Sequence, residues 1–155
     1  MMHQPLVFRL LLIFIVLILN ACGTSTEFDN QATEGYSNAE KQKFAKYMIQ
    51  GKSLYTTYCS NCHQTDGEGL GKLYPPLAQS DYMLADKERT ICLIKKGLTG
   101  EIEVNGISYE QAMPGLKNLS NLEIAEITTY VYNSWGHETG FVRVEEVEKA
   151  LRNCE

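Results

Sequence analysis

Cys59, Cys62 and His63 stand together in the stretch YCSNCHQTDGEGL. Two thiols two residues apart, with an imidazole directly after the second, support four kinds of chemistry. A thioredoxin-like dithiol needs a βαβ setting, and the flanking sequence is helical with no strand before Cys59. A zinc centre needs at least one further ligand, and neither a second CxxC nor an HxxxH motif is present. A disulfide between Cys59 and Cys62 leaves the adjacent histidine without a role. Covalent haem attachment, for which C-x-x-C-H is the signature, uses all three residues. Two thioether bonds would fix a porphyrin to one turn of chain, and His63 would lie under the iron as its ligand.

A haem iron in an electron carrier takes a second axial ligand. Downstream of the N-terminal segment the methionines are Met48, Met83 and Met113. Met48 lies in the helix leading into the motif and Met83 in the short helical stretch SDYMLAD, and core packing accounts for both. Met113 precedes Pro114, which biases it away from helical geometry and toward an extended loop. The expectation is that Met113 is the sixth ligand, with His137 as the outside alternative.

The elements that must position these groups follow from periodicity. A first helix is expected from about Ala39 to Tyr58, with Phe44, Tyr47, Gly51, Leu54, Tyr55 and Tyr58 as its apolar stripe. The loop DGEGLGKLYPPLA is rich in glycine and proline and would wrap the haem edge. A helix over Lys87–Lys96 should stop at Gly97, with Lys95 and Lys96 in its last turn. GEIEVNGISYEQ alternates around Asn105-Gly106, the strongest short hairpin signal, so a small hairpin near Ile102–Tyr109 should interrupt an otherwise helical chain. The last core helix should open at Ser120, with Glu123 completing a capping box.

At this point the chain from about Lys41 to Gly136 resembles a class I cytochrome c, which implies an all-α fold around one covalent haem c. In that family a glycine and an aromatic lie eight and four residues ahead of the first cysteine, here Gly51 and Tyr55. They cross a C-terminal helix at positions that map onto Ile127 and Tyr130. The resemblance also assigns Pro75 a role: its carbonyl would accept the proton of the ligand imidazole. The run VNG…Y…MPGL…LS…EIA…TYVYNSWG is similar to cytochrome c domains that partner quinoprotein alcohol and sugar dehydrogenases and copper nitrite reductases. The implied function is a single-electron carrier, not an enzyme. Its redox partner would be a dehydrogenase, a nitrite reductase or a terminal oxidase. A haem subunit of a larger membrane complex is the alternative, and a sensor or peroxidase with an open iron site is a third class.

The 155-residue chain is long enough for one domain with appendages. Its net charge of −5 argues against nucleic acid as a partner. Lys41, Lys43, Lys46 and Lys52 read as a solvated helix face. The N-terminus carries Arg9 and an unbroken apolar run from Leu10 to Leu19, half of what a bilayer-spanning helix needs. A signal peptide fits better. Leu19-Asn20-Ala21-Cys22 resembles the lipobox of bacterial lipoproteins, which implies export, acylation at Cys22 and a lipid anchor in a bacterial membrane. A plain secretory signal is the alternative. The expected organisation is a signal peptide over 1–21, a flexible polar tether over 22–38, the cytochrome c domain over 39–136 and a C-terminal tail over 137–155. Cys92 and Cys154 remain. Cys92 can be read as a small buried hydrophobe. In an oxidising compartment the two can instead form a disulfide, with Val142, Val144 and Val147 docking the tail against the core.

Overall fold

A computed structural model describes residue 28 and residues 30–154 of the chain. The signal peptide and the lipobox around Cys22 lie outside the described residues. Helix α1 spans Asn38–Tyr58 and starts at a capping box, in which Ser37 Oγ accepts from the Glu40 N–H and Glu40 returns a bond to the Ser37 N–H. A single turn α2 (Ser60–His63) continues it around a bend at Cys59. Next come α3 (Asp81–Ala85), capped by Ser80, and α4 (Lys87–Lys96), capped by Asp86. Two small antiparallel pairs follow. Strand β1 (Gly97–Leu98) pairs with β4 (Met113–Pro114), and between them lies the hairpin β2 (Ile102–Val104) and β3 (Ile107–Tyr109). Helix α5 (Asn121–Val131) opens on the Ser120–Glu123 capping box, and α6 (Val144–Asn153) ends the described chain. Among the described residues no helix is long and apolar enough to cross a membrane.

The core is the crossing of α1 with α5. Phe44, Tyr47, Met48, Gly51, Leu54 and Tyr55 form the buried face of α1 at helical spacing. Gly51 sits at the crossing itself. A Cβ there would lie 2.1 Å from the Glu126 carbonyl oxygen and 2.7 Å from Tyr130 Cβ, so only glycine lets the two backbones meet. Tyr55 and Tyr130 fill the space beside it with ring centroids 5.4 Å apart, and Ile127 is fully buried. Tyr58, expected on the same stripe, is instead 48% exposed.

The folded unit is larger at both ends than the 39–136 domain expected from sequence. At the front, part of the expected tether is docked. Residues 31–33 form a 3-10 turn, Thr33 is buried, and the Gln31 N–H donates to Glu138 across 3.0 Å. Tyr36 packs edge-on against Phe44 and its hydroxyl accepts from the Phe141 N–H. At the back, the expected tail belongs to the core. Val142, Val147 and Ala150 are buried, Val144 is half-buried against them, and Cys92 and Cys154 are joined as a disulfide that ties α6 to α4. The turn into this tail is held by Asn133, whose amide donates to the Gly140 carbonyl and accepts from its N–H. Side-chain-to-backbone bonds of this kind leave no hydrophobic period, whereas the docking of Val142, Val144 and Val147 is the arrangement the sequence reading allowed for.

Candidate haem site

The five residues Cys59 to His63 make one turn of helix. The N–H groups of Cys62 and His63 both donate to the Cys59 carbonyl, at 3.1 and 3.0 Å. Gln64 then adopts a left-handed φ of 60° and reverses the chain, and the Tyr55 hydroxyl clamps its carbonyl at 2.6 Å. The glycine-rich loop that follows has to return to the histidine. Gly69 makes that possible, because a Cβ there would lie 2.3 Å from the Tyr74 carbonyl oxygen. The Leu77 and Ala78 N–H groups close the loop on the Gly67 carbonyl, and the Trp135 ring packs over Gly67.

The loop delivers the Pro75 carbonyl to 2.9 Å from His63 Nδ1. Nδ1 must then carry the proton, because a carbonyl can only accept, so the lone pair of the neutral ring sits on Nε2. Burial pushes the His63 pKa down and outweighs the opposing pull of that hydrogen bond, which keeps the imidazole neutral and able to ligate. Burial, with Cys62 nearby, pushes the Cys59 thiol up to about 12. Cys59 and Cys62 are not bonded to each other.

All three groups open onto one cleft, enclosing about 1130 Å3 of space including its mouth. Met83 and Ile94 line it from α3 and α4, Ile127 and Val131 from α5, and Val104 and Tyr109 from the hairpin. Met113, Pro114 and Leu116 line it after the hairpin. The walls are almost wholly apolar, with two thiols and one imidazole on the same boundary. Among the described residues no group of three His, Cys, Asp or Glu side chains gathers that could hold a bare metal ion. The donor set therefore fits a large apolar planar group carrying its own metal and taking one nitrogen ligand from the protein.

Met113 lines this cleft on β4, held by the pairing of Leu98 with Met113. Glycines on both sides of the pairing permit it. A Cβ on Gly97 would lie 2.5 Å from the Met113 carbonyl oxygen, and one on Gly115 would lie 2.4 Å from the Lys96 carbonyl carbon. Met48 is buried in α1 and does not line the cleft. Met83 is buried as expected but also lines the cleft, so residue type alone does not choose between Met83 and Met113. His137 is not among the lining residues. Its Nε2 accepts from the Gln79 N–H at 3.2 Å and lies 3.2 Å from the Leu77 carbonyl oxygen, which removes it as an alternative ligand. Sequence reasoning did not single out Val104 and Tyr109 as cleft residues, although both fall on the inward phase of the hairpin alternation.

A helix-borne CxxCH turn, a proline-oriented imidazole and an apolar cleft define a module that carries covalent haem. The chain belongs to the cytochrome c family, whose model, described as cytochrome c, matches residues 48–135. It is 33% identical over 93 residues to cytochrome c-552 of Thermus thermophilus, a match spanning 57% of this chain and 70% of that one. It is 29% identical over 101 residues to the cytochrome c subunit of alcohol dehydrogenase (quinone) of Gluconobacter oxydans, spanning 64% of this chain and 21% of that one. With the gluconate 2-dehydrogenase cytochrome c subunit of Pantoea cypripedii it shares 31% identity over 90 residues, 56% of this chain and 20% of that one. The chain thus spans about a fifth of the dehydrogenase subunits it matches. The cofactor is one covalent haem c, and the protein is an electron carrier.

Proposed function

We propose that this chain is an exported, lipid-anchored single-haem carrier in which Cys59 and Cys62 hold the porphyrin and His63 and Met113 ligate the iron. Haem c supplies reversible one-electron chemistry when bound. Pro75 orients the imidazole, Met113 offers a soft ligand that favours the ferrous state, and the apolar walls from α4, α5 and the hairpin exclude water. The observation that carries this reading is the single cleft lined by Cys59, Cys62, His63 and Met113. The test is the ferrous holoprotein under carbon monoxide at neutral pH. A six-coordinate carrier does not bind it readily, whereas rapid stoichiometric binding would favour a sensor or peroxidase with an open site.

The partner we propose is a dehydrogenase of the quinone-dependent kind, which the relatives support. They also support a second reading, a subunit held within such a complex, and isolation of the native membrane complex separates the two. The surface near the cleft indicates the chemistry of a partner. Leu70 and Leu73 are exposed, and within residues 66–73 and 101–110 the exposed Asp66, Glu68, Glu101, Glu103 and Glu110 outnumber the one cation of those segments, Lys72. A basic docking face would be drawn to this side. Electron exchange at low salt should be faster with cationic than with anionic inorganic reagents of matched driving force. The gap should close near physiological ionic strength, where the screening length is about 8 Å. Equal rates at low salt would remove the electrostatic part of the reading.

Anchoring is proposed at Cys22. The protein should sediment with membranes and be released by detergent but not by salt, and Cys22→Ser should free it. A wild-type chain without lipid that washes off in salt would leave the plain secretory signal.

A further inference from the structure

We propose that Asp81 and Asn105 form a clasp that keeps Met113 on the haem iron, an inference that rests on the ligation proposed above. Asn105 is the first residue of the hairpin turn, with a left-handed φ of 52° followed by Gly106 at 75°. Its N–H donates to Asp81 Oδ1 at 2.8 Å, and its own Oδ1 accepts from the Asp81 N–H at 3.1 Å. The same Asp81 oxygen accepts from the Tyr82 N–H at 2.6 Å, which fixes the carboxylate on the first turn of α3.

The clasp joins two walls of the cleft that are otherwise separate in sequence. Helix α3 carries Met83 into one wall. The hairpin carries the buried Val104 and Tyr109 into the other. The hairpin is also the middle of a single excursion that leaves α4 at Gly97 and returns at Pro114, so its base is the Leu98–Met113 pair itself. That base is two residue pairs long, continued by the Leu116 N–H donating to the Ile94 carbonyl at 2.9 Å. At the tip the reciprocal Asp81–Asn105 bonds supply the hydrogen-bonded hold, beside the buried Val104 and Tyr109, whose hydroxyl lies 3.4 Å from the Gly71 carbonyl. Releasing the tip leaves the excursion pivoting on its short base, and Met113 stands on that base. Asp81 is thus a positioning residue outside the lining of the cleft.

The test is the association rate of carbon monoxide with the ferrous holoprotein by stopped flow. Asp81→Ala removes the acceptor of the Asn105 N–H while the Asp81 N–H still donates to Asn105 Oδ1, and it should raise the rate by up to roughly tenfold, the population change expected when one hydrogen bond is lost. Asp81→Asn retains the acceptor oxygen and should restore the wild-type rate, which a role of the charge alone would not allow. If Asp81→Ala fails to load haem, Asn105→Gly replaces it. That variant keeps the turn and the N–H to Asp81, loses the side-chain acceptor of the other bond, and should give an acceleration of similar size. In a Met113→Ala background the Asp81→Ala change should have no further effect, because there is no thioether left to hold. An equal acceleration in that background would mean that the pair guards the entrance, and would overturn the clasp, as would an Asp81→Ala rate equal to wild type. An unaltered ferric spectrum in Met113→Ala would instead overturn the ligation, and the clasp with it.

Discussion

Met113→Ala should lose the methionine-to-iron charge-transfer band at the red end of the ferric spectrum and bind carbon monoxide rapidly in the ferrous state. Its reduction potential should also fall. The thioether is a soft ligand that prefers ferrous iron, and each tenfold of lost preference lowers a one-electron potential by about 59 mV. The comparison that gives this force is Met83→Leu. Met83 lines the same cleft and is 3% exposed, but it is packed within the hydrophobic core, and its backbone carbonyl accepts from the Tyr132 hydroxyl at 2.5 Å. Leucine conserves its volume, so the exchange should cost less than ~1.5 kcal/mol and leave the spectrum and potential in place. Loss of the band in Met83→Leu with its retention in Met113→Ala would reverse the assignment.

Removing the Cys92–Cys154 bond should produce the largest loss of stability. The bond spans a sequence separation of 62 residues, and closing a loop of that length restricts the unfolded chain by about 4 kcal/mol in the chain-entropy model. The paired change Cys92→Ala and Cys154→Ala should therefore lower the denaturant midpoint of the holoprotein while leaving its visible spectrum largely intact. The residual attachment of α6 would rest on Val147 and Ala150. The ion pairs Lys87–Glu146 and Lys149–Glu88 add little, because each is substantially exposed to solvent. Mass spectrometry under non-reducing conditions checks the premise. Two free thiols on the native holoprotein, or a double variant as stable as wild type, would remove the bond from the stability account.

Much of this protein was legible because its signals are local. The CxxCH turn named its chemistry through residue type and spacing. The caps at Ser120 and Glu123, the stop at Gly97 and the Asn105-Gly106 turn each depend on backbone preferences within four residues. Gly51 and Tyr55 against Ile127 and Tyr130 were reached through the family pattern, and the 2.1 Å approach at Gly51 supplies their physical reason.

The rest depends on residues distant in sequence. Docking of residues 30–37 depends on Glu138 and Phe141, more than a hundred positions away, and α6 joins the core only because α4 and α5 present it a surface. The Asp81–Asn105 bonds join residues 24 apart through side chain and backbone, and no periodicity records them. The two cleft methionines share a thioether, and the sequence separates them only through Pro114, which keeps Met113 out of a helix. Met113 stands apart from Met83 because a two-pair strand ladder sets it at the cleft wall, whereas α3 packs Met83 into the core. A sequence determines which groups can bind haem through short-range preferences. How each methionine meets the cleft is decided by packing between elements, and that exists only once the chain has folded.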